Sequence, residues 1–480
     1  MNKHISLLPL LLFTLLPFKA SAQIGTPFIH DPSTIAVCDG KYYTFGTGEG
    51  GLVSTDGWHW TGGGVRPGGG VAPDVIKIGD RYLVSYAVGG GGLAGGHASK
   101  VMTMWNKTLD PASPDFKYSD PVEVASSDYD EDCDAIDPAF LMGPDGRLWL
   151  TYGTYFGFIR LVELDPATGQ RMKGNEPRNI AIDCEATAMM YRDGWYYLLA
   201  THGTCCDGPN STYNIVVGRS RSVTGPYVDN VGRDMLQGGG KLVLSARGGK
   251  IGPGHFGRFI EEDGVEKMSC HYEADLEQGG YSVLGILPLL WKDGWPVAGR
   301  QLHEGTCEIA SVRRGYSLEL NVDFTRMEAG FRFWRNVDEN SIKPIQPQGL
   351  DEVEASWPKG TVGVRLSDYM NRPHQHWTIT AVDGDGVLGA PYYKIQIAGT
   401  QRTLTATADR EVTAAPAFTG AAEQLWRIDQ LTDGTYRIMP KAVPGTTERL
   451  CLYSAGDSTP TLAAFDMMSD NAKWDISFEL

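Results

Sequence analysis

The stretch Asp183-Cys184-Glu185-Ala186-Thr187-Ala188-Met189-Met190-Tyr191-Arg192-Asp193-Gly194-Trp195-Tyr196-Tyr197-Leu198-Leu199 holds the pattern from which the fold is read. An acid opens a strand-like run, an Asp-Gly pair turns the chain, and an aromatic run brings it back. Asp-Gly suits a tight two-residue hairpin because both residues tolerate positive φ. After a polar tract containing Cys205-Cys206, a third strand-like run spans Tyr213 to Ser220. Glu185 precedes Gly194 by nine positions, and that offset recurs along the chain.

The Gly-aromatic unit is found at Gly40-Lys41-Tyr42-Tyr43, Gly79-Asp80-Arg81-Tyr82 and Gly146-Arg147-Leu148-Trp149. A worn copy starts at Gly264 and reaches Cys270-His271-Tyr272. Each is a short strand entered from a turn, with almost no helical pattern between copies. Five sheet units in series predict an all-β fold built on a five-bladed β-propeller. Asp31, Asp137 and His255 each lie nine residues before their glycine, as Glu185 does, while Asp74 lies five before Gly79. Equivalent positions of successive blades face one channel. Asp31, Asp137, Glu185 and His255 are therefore expected to converge.

The propeller pattern ends near Trp291-Lys292-Asp293-Gly294-Trp295-Pro296. A second repeat then appears as Gln375-His376-Trp377, Gln424-Leu425-Trp426 and a worn Ala472-Lys473-Trp474, with Trp spacings of 49 and 48. Three near-equal units of this kind predict a β-trefoil. The expected organisation is a signal peptide over 1–22, the propeller over 23–303, a linking segment over 304–340 and the trefoil over 341–480. The apolar run Ile5 to Phe18, followed by Ala20-Ser21-Ala22, has the form of a cleaved export signal rather than a membrane span. The mature chain is expected in the periplasm or outside the cell.

The chain has 480 residues, enough for two or three domains, and its 42 % hydrophobic and 21 % charged content is that of a globular protein. A net charge of −16 disfavours nucleic acid and anionic membranes as partners and is compatible with a neutral glycan. The eight cysteines are too few for a disulfide scaffold and contain no Cys-x-x-Cys pair. Adjacent cysteines rarely bridge each other, and the sequence does not select another partner for Cys205 or Cys206.

Two carboxyl groups across a pocket are the minimum for glycoside hydrolysis, one giving a proton and the other activating water or attacking carbon. A third carboxyl can orient the acid and keep it protonated. Asp31, Asp137 and Glu185 meet that need, although an Asp-Pro at a strand start is by itself commonly a turn. At these residues the chain resembles glycoside hydrolase family 43, and its arabinan-degrading members in particular. The resemblance is carried by His30-Asp31-Pro32-Ser33, Ala72-Pro73-Asp74-Val75, Ala135-Ile136-Asp137-Pro138, Cys184-Glu185-Ala186, Cys205-Cys206-Asp207-Gly208, Thr224-Gly225-Pro226-Tyr227 and Gly252-Pro253-Gly254-His255, in family order.

The resemblance implies an inverting hydrolase of α-L-arabinofuranosyl linkages. Asp31 is then the general base, Glu185 the general acid and Asp137 the residue that raises the pKa of Glu185. It also implies a channel ion, calcium or another, held at His255 largely through waters, and no organic cofactor. Asp74, Tyr155, Phe156 and Trp58 are candidates for contact with substrate. Val71 and Gly153-Thr154-Tyr155-Phe156-Gly157 depart from the endo-acting pattern, so endo and exo cleavage both stay open. Related members act on β-xylosides or galactofuranosides, and a non-catalytic glycan-binding protein is the alternative from another class. The C-terminal part resembles ricin-B-type trefoils, whose Gln and Trp residues build the core. A polysaccharide or oligosaccharide substrate and a monomeric chain are expected.

Overall fold

In a computed structural model the described residues are 23–48, 50–65, 70–90, 97–322 and 354–478. The expected signal peptide lies outside them. Five sheets follow one another in chain order, each built on four antiparallel strands wound from the innermost outward. The innermost strands are Ala36–Cys38, Val71–Ile78, Ala139–Met142, Glu185–Arg192 and Lys250–Glu262. Three of the five inner hairpins turn through Asp39-Gly40, Asp193-Gly194 and Asp263-Gly264, and the last outer hairpin turns through Asp293-Gly294. All eight of these turn residues have positive φ, as a two-residue turn matched to strand twist requires.

The apolar core lies between neighbouring blades rather than on the axis. Tyr43 and Phe45 of blade 1 pack with Val75 and Val84 of blade 2. Leu83 packs with Phe140, Leu141 with Met189, and Leu199 with Phe256. Trp60 with Ile286 completes the circle. The axis is thereby left to polar groups. The N-terminal segment closes the ring. Ile24–Gly25 runs parallel to His59–Val65 of blade 1, while Phe28 bridges Val283 of blade 5. The Leu284 N–H donates to the Pro27 carbonyl at 2.8 Å.

The C-terminal domain is a β-trefoil. Trp377, Trp426 and Trp474 are fully buried, and their indole N–H groups donate to the carbonyls of Leu318, Leu404 and Leu452 at 2.7, 2.9 and 2.9 Å. Gln375 accepts from the Met370 N–H and donates to the Asp368 carbonyl, and Gln424 repeats this with Thr419 and Ala417. The Gln-x-Trp motifs therefore hold the trefoil together. The expected linker over 304–340 is corrected. Gly305–Ser311 pairs with both Trp474–Phe478 and Trp377–Val387, and Ser317–Leu320 pairs with Val362–Ser367. Both strands belong to the trefoil.

The two domains are joined across the seam between blades 1 and 5. The hairpin of Trp377–Val387 and Ala390–Ile397 places its tip there. Gly386 and Gly389 donate to Asp56, Gly389 accepts from the Gln23 amide, and the Leu388 carbonyl takes Lys267 Nζ at 2.6 Å. Gly57 faces that tip at φ +74, and a Cβ there would lie 2.8 Å from Phe259 and 2.9 Å from the Gly389 nitrogen. Beside the tip, Lys267 lies 3.7 Å from Asp429, which also pairs with Arg427 at 2.6 Å and Arg437 at 3.0 Å.

Candidate active site

Each blade feeds the channel through one residue in the left-handed region: Asp31, Ala72, Asp137, Ala186 and His255, with φ of 50, 45, 51, 48 and 56. A non-glycine residue there costs about 1–2 kcal/mol and persists where its surroundings hold it. Here the preceding blade supplies the hold. The N–H of Asp31 donates to His271 Nδ1, that of Ala72 to Thr47 Oγ1, that of Ala186 to Asp137 Oδ2 and that of His255 to Thr201 Oγ1, at 2.9–3.2 Å. The kink coincides with the nine-residue offset at Asp31, Asp137 and His255 and falls one residue after it, at Ala186, in blade 4. It interrupts the strand register next to Glu185 and His255 and turns their side chains toward the axis.

The carboxyls gathered there have opposite tendencies. Burial would lift the Asp31 carboxyl, but His255 and His30 beside it hold it well below the usual carboxylate range. His30 Nδ1 lies 2.9 Å from Asp31 Oδ2, His255 Nδ1 lies 3.4 Å from Oδ1, and the Thr47 hydroxyl donates to Oδ2. Glu185 is 7 % exposed, and burial pushes its carboxyl up to about 8 against the opposing hydrogen bond from the Tyr213 hydroxyl; the charges of Asp31 and Glu273 add to the rise. Burial followed by repulsion from Glu185 also raises Asp137. One carboxyl is set to stay ionised and another to keep its proton, the pairing that acid–base hydrolysis needs.

The family model described as Glycosyl hydrolases family 43 matches residues 24–296. The chain belongs to glycosyl hydrolase family 43. Its C-terminal part matches the ricin-type beta-trefoil lectin domain-like family over residues 373–463. Over 243 residues it is 35 % identical to the extracellular exo-α-(1→5)-L-arabinofuranosidase ArbA of Cellvibrio japonicus, covering 47 % of this chain and 68 % of the relative. Over 229 residues it is 32 % identical to the extracellular endo-α-(1→5)-L-arabinanase 1 of Bacillus subtilis, covering 47 % and 67 %. Among solved structures, an exo-1,5-α-L-arabinanase from a bovine ruminal metagenomic library superposes with a TM-score of 0.53 at 34 % identity, over 57 % of this chain and 97 % of that one. The Cellvibrio cellulosa α-L-arabinanase complexed with arabinohexaose gives 0.52 at 29 %, over 57 % and 95 %.

In this family 43 domain the fold gathers Asp31, Asp137, Glu185 and His255, as their register predicts. Tyr155 lies at the rim, 37 % exposed, where its hydroxyl senses the charges of Glu185 and Asp137; Phe156 packs on it at 4.5 Å. Two expected substrate contacts are corrected. Trp58 is 4 % exposed and packs under Gly386 of the trefoil hairpin, because that hairpin covers the loop carrying it. Asp74 is buried, and its two oxygens take the Thr34 N–H of blade 1 and the Phe140 N–H of blade 3, so it ties three blades together. Among the described residues the groups able to chelate an ion centre on His30 and omit His255, whose Nδ1 faces Asp31.

His30, Thr47, Tyr213, His271 and Glu273 are functional neighbours that the register argument does not single out. A signal for two of them was present, since strand alternation puts His271 and Glu273 on one face of Val265–Asp275. As acid and base, the two carboxyls would set the pH profile. Glu185 is a proton donor below about pH 8 and loses that form as pH rises through it. The depressed Asp31 stays a base until strongly acidic pH. A flat kcat/KM across neutral pH with a basic limb near pH 8 is expected, read by initial rates in constant-ionic-strength buffers. An activity that rises through pH 8 would contradict the assignment.

Proposed function

We propose that this chain hydrolyses α-1,5-linked L-arabinofuranosyl bonds of arabinan with inversion at the anomeric carbon. Glu185 gives its proton to the departing glycosidic oxygen. Asp31 takes a proton from the water that attacks the opposite face of the sugar. Asp137 accepts the Ala186 N–H and so positions the strand start that carries Glu185. Tyr155 and Phe156 offer an aromatic surface to a furanose face at the rim. The observation that carries the reading is the opposed setting of Asp31 and Glu185 in one channel. The printed activities of the relatives favour arabinan as the polymer. The extracellular relatives also fit export of this chain, and the trefoil would keep the propeller on its glycan.

Linear arabinan with product sizing tests the reading. Oligosaccharides released first assign endo action, and arabinose alone assigns exo action. The first product resolved by NMR should be the β-anomer. Release of the α-anomer first, or turnover confined to xylosides or galactofuranosides, would overturn the proposal.

A further inference from the structure

The Asp31 carboxylate is the inner end of a line of contacts that leads to the surface. His30 bridges it, with Nδ1 at 2.9 Å from Asp31 Oδ2 and Nε2 at 3.0 Å from Glu273 Oε1. The other oxygen of Glu273 accepts the backbone N–H of Cys206 at 3.2 Å. His271 stacks on His30 at 4.5 Å, accepts the Asp31 N–H and lies 3.4 Å from Glu273. The inner links are buried or half-buried, while Cys206 is exposed.

Cys206 is bonded to its neighbour Cys205, contrary to the sequence expectation for adjacent cysteines. Its φ of 64 is another left-handed position held by a non-glycine residue. That turn is what aims its N–H at Glu273. A covalent link between neighbouring side chains leaves the intervening peptide few alternatives, so the turn is held by chemistry rather than by packing. The other six cysteines are buried and take part in no disulfide. A reductant therefore has a single bond to break.

We propose that His30 and Glu273 are positioning residues for the Asp31 carboxylate, and that the Cys205–Cys206 disulfide is the latch that sets them, making turnover depend on the oxidation state of this loop. The inference rests on Asp31 as the general base. Reduction by dithiothreitol breaks the S–S bond: two electrons and two protons pass to the sulfurs, giving two thiols, and the reagent closes to its cyclic disulfide. The freed loop leaves the left-handed turn, and Glu273 loses its backbone donor. His30 then no longer holds the carboxylate in line with the water. A misplacement of this kind lowers the rate of the chemical step more than it weakens binding. Tyr155 and Phe156, on blade 3, are not part of the line.

The test uses the full chain and linear arabinan. The protein is treated with dithiothreitol, alkylated in a parallel sample, and mass-mapped to establish that Cys205 and Cys206 are the residues opened. The expected result is a kcat lower by on the order of tenfold to a hundredfold, with KM within about twofold. Removing the reductant and reoxidising should restore the rate. Glu273→Gln should show the same kcat-confined loss and little further response to dithiothreitol. The double variant Cys205→Ser/Cys206→Ser should match the reduced wild type and ignore the reagent. A wild-type enzyme proven open at both cysteines but with unchanged kcat overturns the latch, whatever the variants do. Equal losses in kcat, KM and Tm that do not reverse on reoxidation also overturn it, since they mark a merely structural bond. Asp31→Ala separates the two readings. An active Asp31→Ala removes the base itself, whereas an inactive one beside an unaffected reduced enzyme removes only the latch.

Discussion

Glu185→Gln lowers kcat on linear arabinan by on the order of 10²–10⁴, the scale of a lost general acid, while arabinan still binds. The amide keeps the size of the carboxyl and can still meet the Tyr213 hydroxyl, but it has no proton to give. The loss should shrink with aryl arabinofuranosides, whose phenolate leaves without protonation. That contrast separates a missing acid from a damaged pocket, which would slow both substrates alike. Binding is read by calorimetry on arabino-oligosaccharides, and rates by reducing-sugar release. Full activity on the polymer would remove Glu185 from the acid role and leave Asp137 as the carboxyl to examine.

Asp429→Ala is expected to destabilise the protein by about 3–5 kcal/mol, the usual cost of stripping one partner from a buried ion cluster. Asp429 is 1 % exposed and serves three cations: Arg427, Arg437 and, from the propeller, Lys267. Burial alone would raise its carboxyl, yet these cations pull it below the usual range. Burial lowers the Lys267 ammonium, with Asp429 as its opposing partner. Removing the anion leaves three positive groups facing one another out of water. Calorimetry should register a lower Tm for the propeller as well as for the trefoil, because Lys267 belongs to Val265–Asp275 of blade 5. Pairing the change with Lys267→Met should recover part of the loss. A drop confined to the trefoil would mean that the cluster does not couple the domains.

The blades could be read from the chain because their signals are local. Asp-Gly turns and period-2 aromatic strands depend on residues a few positions apart, and the nine-residue register carries Asp31, Asp137 and Glu185 to one channel. Asp74, at an offset of five, already differed in sequence, and the structure accounts for it as a tie between blades 1 and 3. Strand alternation puts His271 and Glu273 on one face, but their partners, like those of His30 and Tyr213, lie on other strands or blades, which no local pattern encodes. Trp58 reads either as a sugar contact or as packing, because an aromatic residue in a surface-like loop has the same local sequence whether sugar or another domain covers it. The cover here comes from a hairpin more than three hundred residues further along the chain. Gly305–Ser311 and Ser317–Leu320 join the trefoil through strands far along the chain, which their own sequence does not announce.

The hairpin tip from Gly386 to Gly389 rests on the seam where the ring's first and last blades meet, with Gln23 of the closing segment between them. A ring shut by hydrogen bonds opens first at its weakest joint, and here that joint is riveted from outside. Blade 1 cannot swing away from blade 5 until the lectin-like domain lets go. Such an attachment slows escape from the native state even where it adds little to equilibrium stability. The trefoil would then act as a hoop around the catalytic propeller and set how long its fold survives.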